Sequence, residues 1–176
     1  MSKRPSILVS KSDVARSQLE TAIQLWFADG DPVSIHTLAV ATHDCLNAMS
    51  KLKGKPSLSE QWLKTQPKKI QQWAREPQNF FKHGQRFLKR SLHYVPSYGD
   101  MLIFDCTLCY EFVFGKMTPL MDVFMFRFVL SNPDQFKGDL KAFVESKRLK
   151  IEEIEPLGRS EFLARTLPLA MTGGGI

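Results

Sequence analysis

The hexapeptide Gln78-Asn79-Phe80-Phe81-Lys82-His83 places an amide, a lysine and a histidine beside two aromatic residues. A histidine exchanges protons near neutral pH, an asparagine can orient a phosphate or a water, and a lysine neutralises negative charge. Around the hexapeptide, residues 51–90 hold eleven Lys/Arg against two Asp/Glu, a local charge of +9, while the rest of the chain sums to −3. This combination indicates a polyanion-binding surface with a histidine inside it.

Helical geometry predicts which of these side chains share a face. If residues 79–90 form one helix, Asn79, His83, Arg86 and Arg90 lie on one side of it, and the phenylalanines pack inward. Gly84 could instead end the helix and leave both arginines in a loop. The histidine could also be purely structural, and the charges could simply solvate the outer face of the helix.

The segment Asn-Phe-Phe-Lys-His in a helical chain resembles the signature of HEPN domains, small helical proteins of toxin–antitoxin, phage-defence and RNA-processing systems. That signature is an arginine, usually followed by a polar residue such as asparagine, with a histidine four to six residues after the arginine. Asn79 matches the polar residue and His83 the histidine, whereas Gln78 occupies the arginine position. The apolar stretch 33–39 is similar to the helix that often precedes the motif, and the resemblance covers about residues 12–130.

The resemblance implies a metal-independent endoribonuclease that needs no cofactor and is usually a homodimer with both motifs in one cleft. His83 would act as base or acid when a ribose 2′-OH attacks the adjacent phosphate, and Asn79 would orient phosphate or water. Gln78 cannot supply the cation, which Arg86 or Arg75 could replace. The missing arginine favours a HEPN-like RNA-binding protein with weak or absent catalysis, in a bacterial or phage defence or toxin–antitoxin system, and an active nuclease is the competing hypothesis.

The basic segment also fits two different arrangements. Arg86 could pair with His93 instead of His83, or the basic face could bind an acidic protein, such as a cognate antitoxin. Aromatic residues among basic ones suit single-stranded nucleic acid, and Trp73 could stack on a base or anchor the core. The residues predicted to contact nucleic acid are Lys68, Lys69, Trp73, Lys82, Lys89 and Arg90.

Two further sets of residues could bind metal but do not have the required spacing. Cys106 and Cys109 lack a second Cys or Cys/His pair, so we expect both to be core residues rather than zinc ligands. His36 and His43 would lie about 10 Å apart along one helix, too far to chelate one ion, so we expect them at a surface or an interface.

The chain's 176 residues, ordinary apolar content and few β-branched alternations predict one all-α domain, a bundle of about five to seven helices. Three cysteines at no framework spacing, no long apolar run and no signal peptide suit a cytoplasmic protein without a membrane span. We expect a flexible N-terminus at 1–11, the helical domain at 12–150, and a partly ordered tail at 151–176.

Residues that start and stop helices divide the domain. Ser12 is expected to cap the first helix, Gly30 to end it in a left-handed conformation, and Asp31 with Pro32 to begin the second, which makes the first two helices an antiparallel hairpin. The approximate bounds are 12–28, 32–49, 59–74 with a break near 67, 77–90, 101–114, 119–130 and 134–155.

Overall fold

A computed structural model describes residues 6–83, 88–136 and 151–172 of the chain. These ranges form helices and no strand, so the predicted all-α fold is confirmed. Predictions for residues 1–5, 84–87, 137–150 and 173–176 lie outside the described residues. The helices are α1 Lys11–Phe27, α2 Pro32–Leu52, α3 Leu58–Thr65, α4 Lys68–Lys82, α5 Ser97–Phe114, α6 Pro119–Ser131, α7 Ile151–Ile154 and α8 Arg159–Met171.

The first helix begins with a capping box. The Ser10 hydroxyl accepts a hydrogen bond from the Asp13 backbone N–H at 3.1 Å, and the Asp13 carboxylate accepts one from the Ser10 N–H at 3.1 Å. Two N–H groups at the helix start are thereby satisfied. The prediction that Ser12 caps this helix is wrong, because Ser10 with Asp13 makes the reciprocal pair.

The four-residue connection between α1 and α2 folds α2 back along α1, which gives the predicted hairpin. Asp31 caps α2 by accepting from the Ser34 N–H at 2.7 Å, and Pro32 is the first helical residue. The left-handed residue is Asp29, with φ of 49°, and not Gly30 as predicted. Gly30 packs closely against α1 instead, since a Cβ there would lie 3.1 Å from the Leu25 carbonyl oxygen, a tight contact.

The hydrophobic core lies between α1, α2, α5, α6 and α8. Aromatic rings fill much of it: Trp26 contacts both Phe27 and Phe124 edge-on, with centroids 5.0 Å apart in each pair. Phe126 and Phe162 are fully buried. Large apolar side chains from five helices therefore hold the bundle together.

The C-terminal helix α8 belongs to this core. Phe162 is fully buried, and the Arg159 guanidinium lies 3.9 Å from the centre of the Trp26 ring and 3.2 Å from an Asp29 carboxylate oxygen. These contacts attach α8 to the end of α1. The sequence prediction of a partly ordered tail missed this helix, and the bundle extends beyond residue 150.

The helices α3 and α4, which we call the basic arm (Leu58–Lys82), lie on the outside of the bundle. The predicted break at Pro67 is confirmed, since Pro67 precedes the first residue of α4. The predicted start of a new helix near Pro77 is wrong, because α4 continues through it. Pro77 is the single buried residue of the arm, so its packing against the bundle compensates for the hydrogen bond that a proline removes.

No helix among the described residues is both long enough and apolar enough to cross a membrane.

Candidate nucleic-acid interface

The outward face of α4 carries a line of polar and basic side chains. We call Lys68, Gln72, Arg75, Asn79 and Lys82 the outer row, because residues at these three- and four-residue intervals share one side of a helix. Asn79 is partly buried and the other four are exposed. The row extends about 21 Å along the helix axis. It faces away from the side of α4 that carries Pro77 and Phe81.

The predicted catalytic residues occupy successive turns of α4. Arg75 precedes Asn79 by one turn, and Asn79 precedes His83 by another. His83 is the C-cap, with φ of −110° and ψ of 80°, and its backbone N–H donates to the Asn79 carbonyl at 3.1 Å. The His83 side chain is exposed. Asn79 therefore lies one turn from Arg75 and one turn from His83. Arg75 and His83 are themselves two turns, about 12 Å, apart along the axis.

The predicted continuation of this face to Arg90 is wrong, because α4 ends at Lys82. Arg86 lies outside the described residues. Lys89 is exposed in a turn, and Arg90 donates to the Glu76 carboxylate at 2.8 Å. The salt bridge brings Arg90 back against the side of α4, rather than into line with the outer row.

Acidic side chains neutralise part of the basic segment. Glu60 contacts Lys51 at 2.5 Å and Lys64 at 3.3 Å, and Lys51 and Asn47 lower the pKa of Glu60 to about 2. Asp44 lies 3.2 Å from Lys82. Within residues 51–90, six described basic residues have no carboxylate partner, and all six are exposed: Lys53, Lys55, Lys68, Lys69, Arg75 and Lys89.

Two tryptophans of the basic arm are half exposed. Trp73 has 50% of its surface exposed and meets Tyr98 of α5 almost perpendicularly, with centroids 5.2 Å apart. Trp62 of α3 is 52% exposed. Trp26, by contrast, is in the core at 2% exposed. Trp73 and Trp62 are thus the two tryptophans that a ligand can reach.

A polar joint that the sequence did not reveal fastens α3 to the bundle. It comprises His43 of α2, Ser57 and Ser59 at the start of α3, and Asp105 of α5. The Asp105 carboxylate accepts the backbone N–H of Leu58 at 2.9 Å and that of Ser59 at 3.1 Å. Burial favours a higher pKa for Asp105, but hydrogen bonds from His43 and Ser59 outweigh it and lower that pKa. The polar joint therefore supplies hydrogen-bond acceptors for backbone N–H groups in the first turn of α3, which would otherwise bond to water.

The polar joint contains a serine, a histidine and an aspartate, yet its geometry is not that of a nucleophile. His43 Nε2 lies 2.8 Å from Ser57 Oγ, 3.0 Å from Ser59 Oγ and 3.4 Å from an Asp105 oxygen. A catalytic triad needs the carboxylate and the hydroxyl on opposite ring nitrogens. Ser57 is also 2% exposed. The joint is structural.

His36 forms a second contact point between the basic arm and α2. It is 5% exposed, and its ring meets Phe81 at 5.4 Å and Tyr94 at 5.3 Å between centroids. The expectation of a surface or interface position is wrong for His36, which Phe81 of α4 covers, whereas His43 in the polar joint stays partly exposed. Burial lowers the pKa of His36 to about 4, so the ring is neutral at pH 7.

The prediction that Cys106 and Cys109 are core residues is confirmed. Burial raises the pKa of both thiols, that of Cys109 to about 12. Within residues 6–83, 88–136 and 151–172, no group of three or more His, Cys, Asp or Glu side chains could hold a metal ion. Comparison with protein-family models, curated proteins and solved structures found no match to this chain.

Proposed function

We propose that this protein is a HEPN-like RNA-binding protein whose basic arm contacts the RNA backbone. The observation that carries the proposal is the outer row of α4, with exposed cations at Lys68 and Arg75. These two side chains are about 10 Å apart along the axis and belong to one face. Cations in fixed positions on one face neutralise successive phosphates and release counterions, which gives most of the affinity for a nucleic acid.

The distribution of acids supports a polyanion as the ligand. Glu60 neutralises lysines near α3, but in the described part of the chain no carboxylate pairs with Lys68, Lys69 or Arg75. Three of the six cations of residues 51–90 that lack a carboxylate partner therefore lie on α4, beside an exposed tryptophan. A surface that only maintained solubility would mix both signs of charge.

Binding without cleavage fits the geometry better than an active ribonuclease. Cleavage at a 2′-OH requires the cation and the acid–base group at one phosphate. Arg75 lies two turns before His83, the C-cap of α4, and Arg90 is paired with Glu76, while Arg86 lies outside the described residues. Asn79 and His83 can still hydrogen-bond to a bound backbone, so they take a binding role.

The test is anisotropy of a labelled RNA of mixed sequence, titrated with protein at several salt concentrations between 50 and 200 mM, roughly the range over which phosphate contacts weaken markedly. Replacing Lys68 and Arg75 together by glutamate should abolish measurable binding, and each single alanine variant should reduce the salt slope by about one. Lys116→Glu is the matched control, since Lys116 is exposed and follows the end of α5, whose last residue Phe114 lies about 24 Å from Tyr98 along the helix axis.

Two results would count against RNA as the ligand. The first is an RNA affinity that the double glutamate variant leaves unchanged. The second is displacement of the RNA by poly-L-glutamate at equal charge concentration, which would identify an acidic protein surface as the preferred partner. Lys116→Glu should bind RNA as the unmodified protein does.

A further inference from the structure

Trp73 presents an open aromatic face at the side of α4. Its ring is nearly perpendicular to that of Tyr98, at 86°, with centroids 5.2 Å apart. In such an edge-to-face contact Tyr98 covers at most one face of the indole, and half of the Trp73 surface is exposed. The contact also limits rotation of the indole. Trp73 is therefore a pre-positioned ring with a free face.

Charged groups border this ring on both sides along the helix. Lys69 lies one turn before Trp73 and is exposed. Glu76 lies three residues after it and holds Arg90 at 2.8 Å. Because the carboxylate neutralises Arg90, the net positive charge at the ring comes from Lys69 and from Lys68 beside it. A ligand that stacks on Trp73 thus meets cations mainly toward the start of α4.

We propose that Trp73 stacks on an unpaired base of a single-stranded RNA, whose adjacent phosphates lie on Lys68 and Lys69. The proposal rests on the proposed function and specifies its substrate class. A strand that crosses the first two turns of α4 places a base on the side with Trp73 and its backbone on the outer row. Base–aromatic stacking of this kind tolerates any sequence, because every base has a π-face.

A duplex does not fit this site. Paired bases in A-form RNA are stacked on each other, so they offer no free face to a ring. The deep, narrow major groove of A-form RNA also excludes the side chains of a protein helix such as α4. A duplex could contact only the cations of the outer row. Only a single-stranded RNA can therefore stack a base on Trp73.

The experiment compares three labelled probes of equal length: a single-stranded RNA, a hairpin duplex, and a single strand of abasic ribose phosphates. Trp73→Ala should weaken binding of the single-stranded RNA about 5- to 150-fold, the range for loss of one base stack. Its binding of the duplex and of the abasic strand should change less than twofold. Trp73→Phe should restore most of the loss, since a phenyl ring still stacks.

Trp62→Ala is the matched control, because Trp62 is as exposed as Trp73 but has no ring contact with any described residue. It should leave all three affinities unchanged. Equal affinities of the Trp73→Ala variant and the unmodified protein for the single strand would overturn the stacking role. So would an equal loss on the duplex. If none of the three probes binds at low salt, the proposed function itself fails, whereas binding of the abasic strand as tightly as RNA refutes only the stacking.

Discussion

The ring of Phe81 meets the ring of His36 edge-on, with centroids 5.4 Å apart and an interplanar angle of 84°. Phe81 belongs to the hexapeptide 78–83, and His36 lies in the second turn of α2. Tyr94 contacts both rings, at 5.3 Å from each. One residue of the hexapeptide therefore attaches the end of α4 to the bundle, while Lys82 and His83 beside it face solvent.

Burial of His36 predicts a loss of stability in acid. Its pKa is about 4 in the folded protein against 6.5 for a free side chain. Between these values the unfolded chain binds a proton that the folded chain does not, so stability falls as pH falls from about 7 to 4 and the effect levels off below. The loss should be about 2–3 kcal/mol in the free energy of unfolding.

Urea denaturation at a series of pH values measures this loss. In His36→Phe the acid-dependent decrease between pH 7 and pH 4 should shrink by that amount. The variant should be no less stable at pH 7, since both ring nitrogens of His36 lack a hydrogen-bond partner among the described residues. Parallel pH profiles for the two proteins, or an NMR titration of His36 near pH 6.5, would contradict the prediction.

Asp105→Asn should release the start of α3. Both carboxylate oxygens of Asp105 accept backbone N–H groups, and the asparagine amide would place a donor against one of them. We expect a loss of about 2–4 kcal/mol in the free energy of unfolding, and faster hydrogen exchange in α3 than in α6. Asp134→Asn, at an exposed position, should cost less than about 0.5 kcal/mol. Uniform exchange changes in α3 and α6 would show that the joint does not act locally.

Arg159→Ala should destabilise the attachment of α8. The guanidinium stacks on Trp26 and also contacts Asp29 and the largely buried Asp100, at 3.8 Å from the latter. The expected loss is about 1–2 kcal/mol, accompanied by a change in the near-ultraviolet circular dichroism of Trp26. Arg165→Ala removes only an exposed i,i+4 pair with Glu161 and should cost about 0.3–0.5 kcal/mol. Thermal unfolding of both variants tests whether Arg159→Ala loses more stability than Arg165→Ala. Equal losses would refute the prediction.

RNA incubated with the protein in EDTA should remain intact, because Arg75 lies two turns from His83 and Arg90 is paired with Glu76, so neither is held beside the histidine. His83→Ala should give the same result and reduce RNA affinity by about 2- to 10-fold, the loss of one ordinary hydrogen bond. Gel analysis of labelled RNA over several hours is the measurement. Cleavage by the unmodified protein that His83→Ala abolishes would establish the active endoribonuclease instead. Cleavage by both would place the activity at other residues.

Helices whose ends are set by local residue preferences could be predicted from the sequence alone. Asp31 and Pro32 begin α2 because a side-chain acceptor and a fixed φ both favour a helix start. Pro77 shows where such reasoning fails: a proline normally ends a helix, but burial against the bundle keeps α4 continuous. Phe162, Thr166 and Ala170 of α8 have helical spacing, yet Pro156 and the glycines at 173–175 concealed it. The continuity of α4 and the formation of α8 both depend on tertiary contacts, which local sequence patterns do not show.

The candidate site also has features that could be predicted from the sequence and features that could not. The spacing of Arg75, Asn79 and His83 on helical turns could be read from the sequence, because it depends only on helix geometry. The contacts of Arg90 with Glu76 and of Trp73 with Tyr98 could not be predicted, since each joins α4 to a distant part of the chain.

The polar joint was missed for the same reason, because Asp105 is 46 residues from Ser59. Its one visible sign was an aspartate in the middle of the largely apolar stretch 101–110.

The basic arm contributes only Pro77 to the buried interior. Substitutions at its exposed positions therefore act on the ligand and hardly on the free energy of folding. Natural selection could alter ligand preference along α4 one residue at a time, without the compensating core changes that most new binding specificities require. We expect related chains to vary most in the outer row, and to retain the residues equivalent to Phe81 and Asp105, which fix the arm to the bundle.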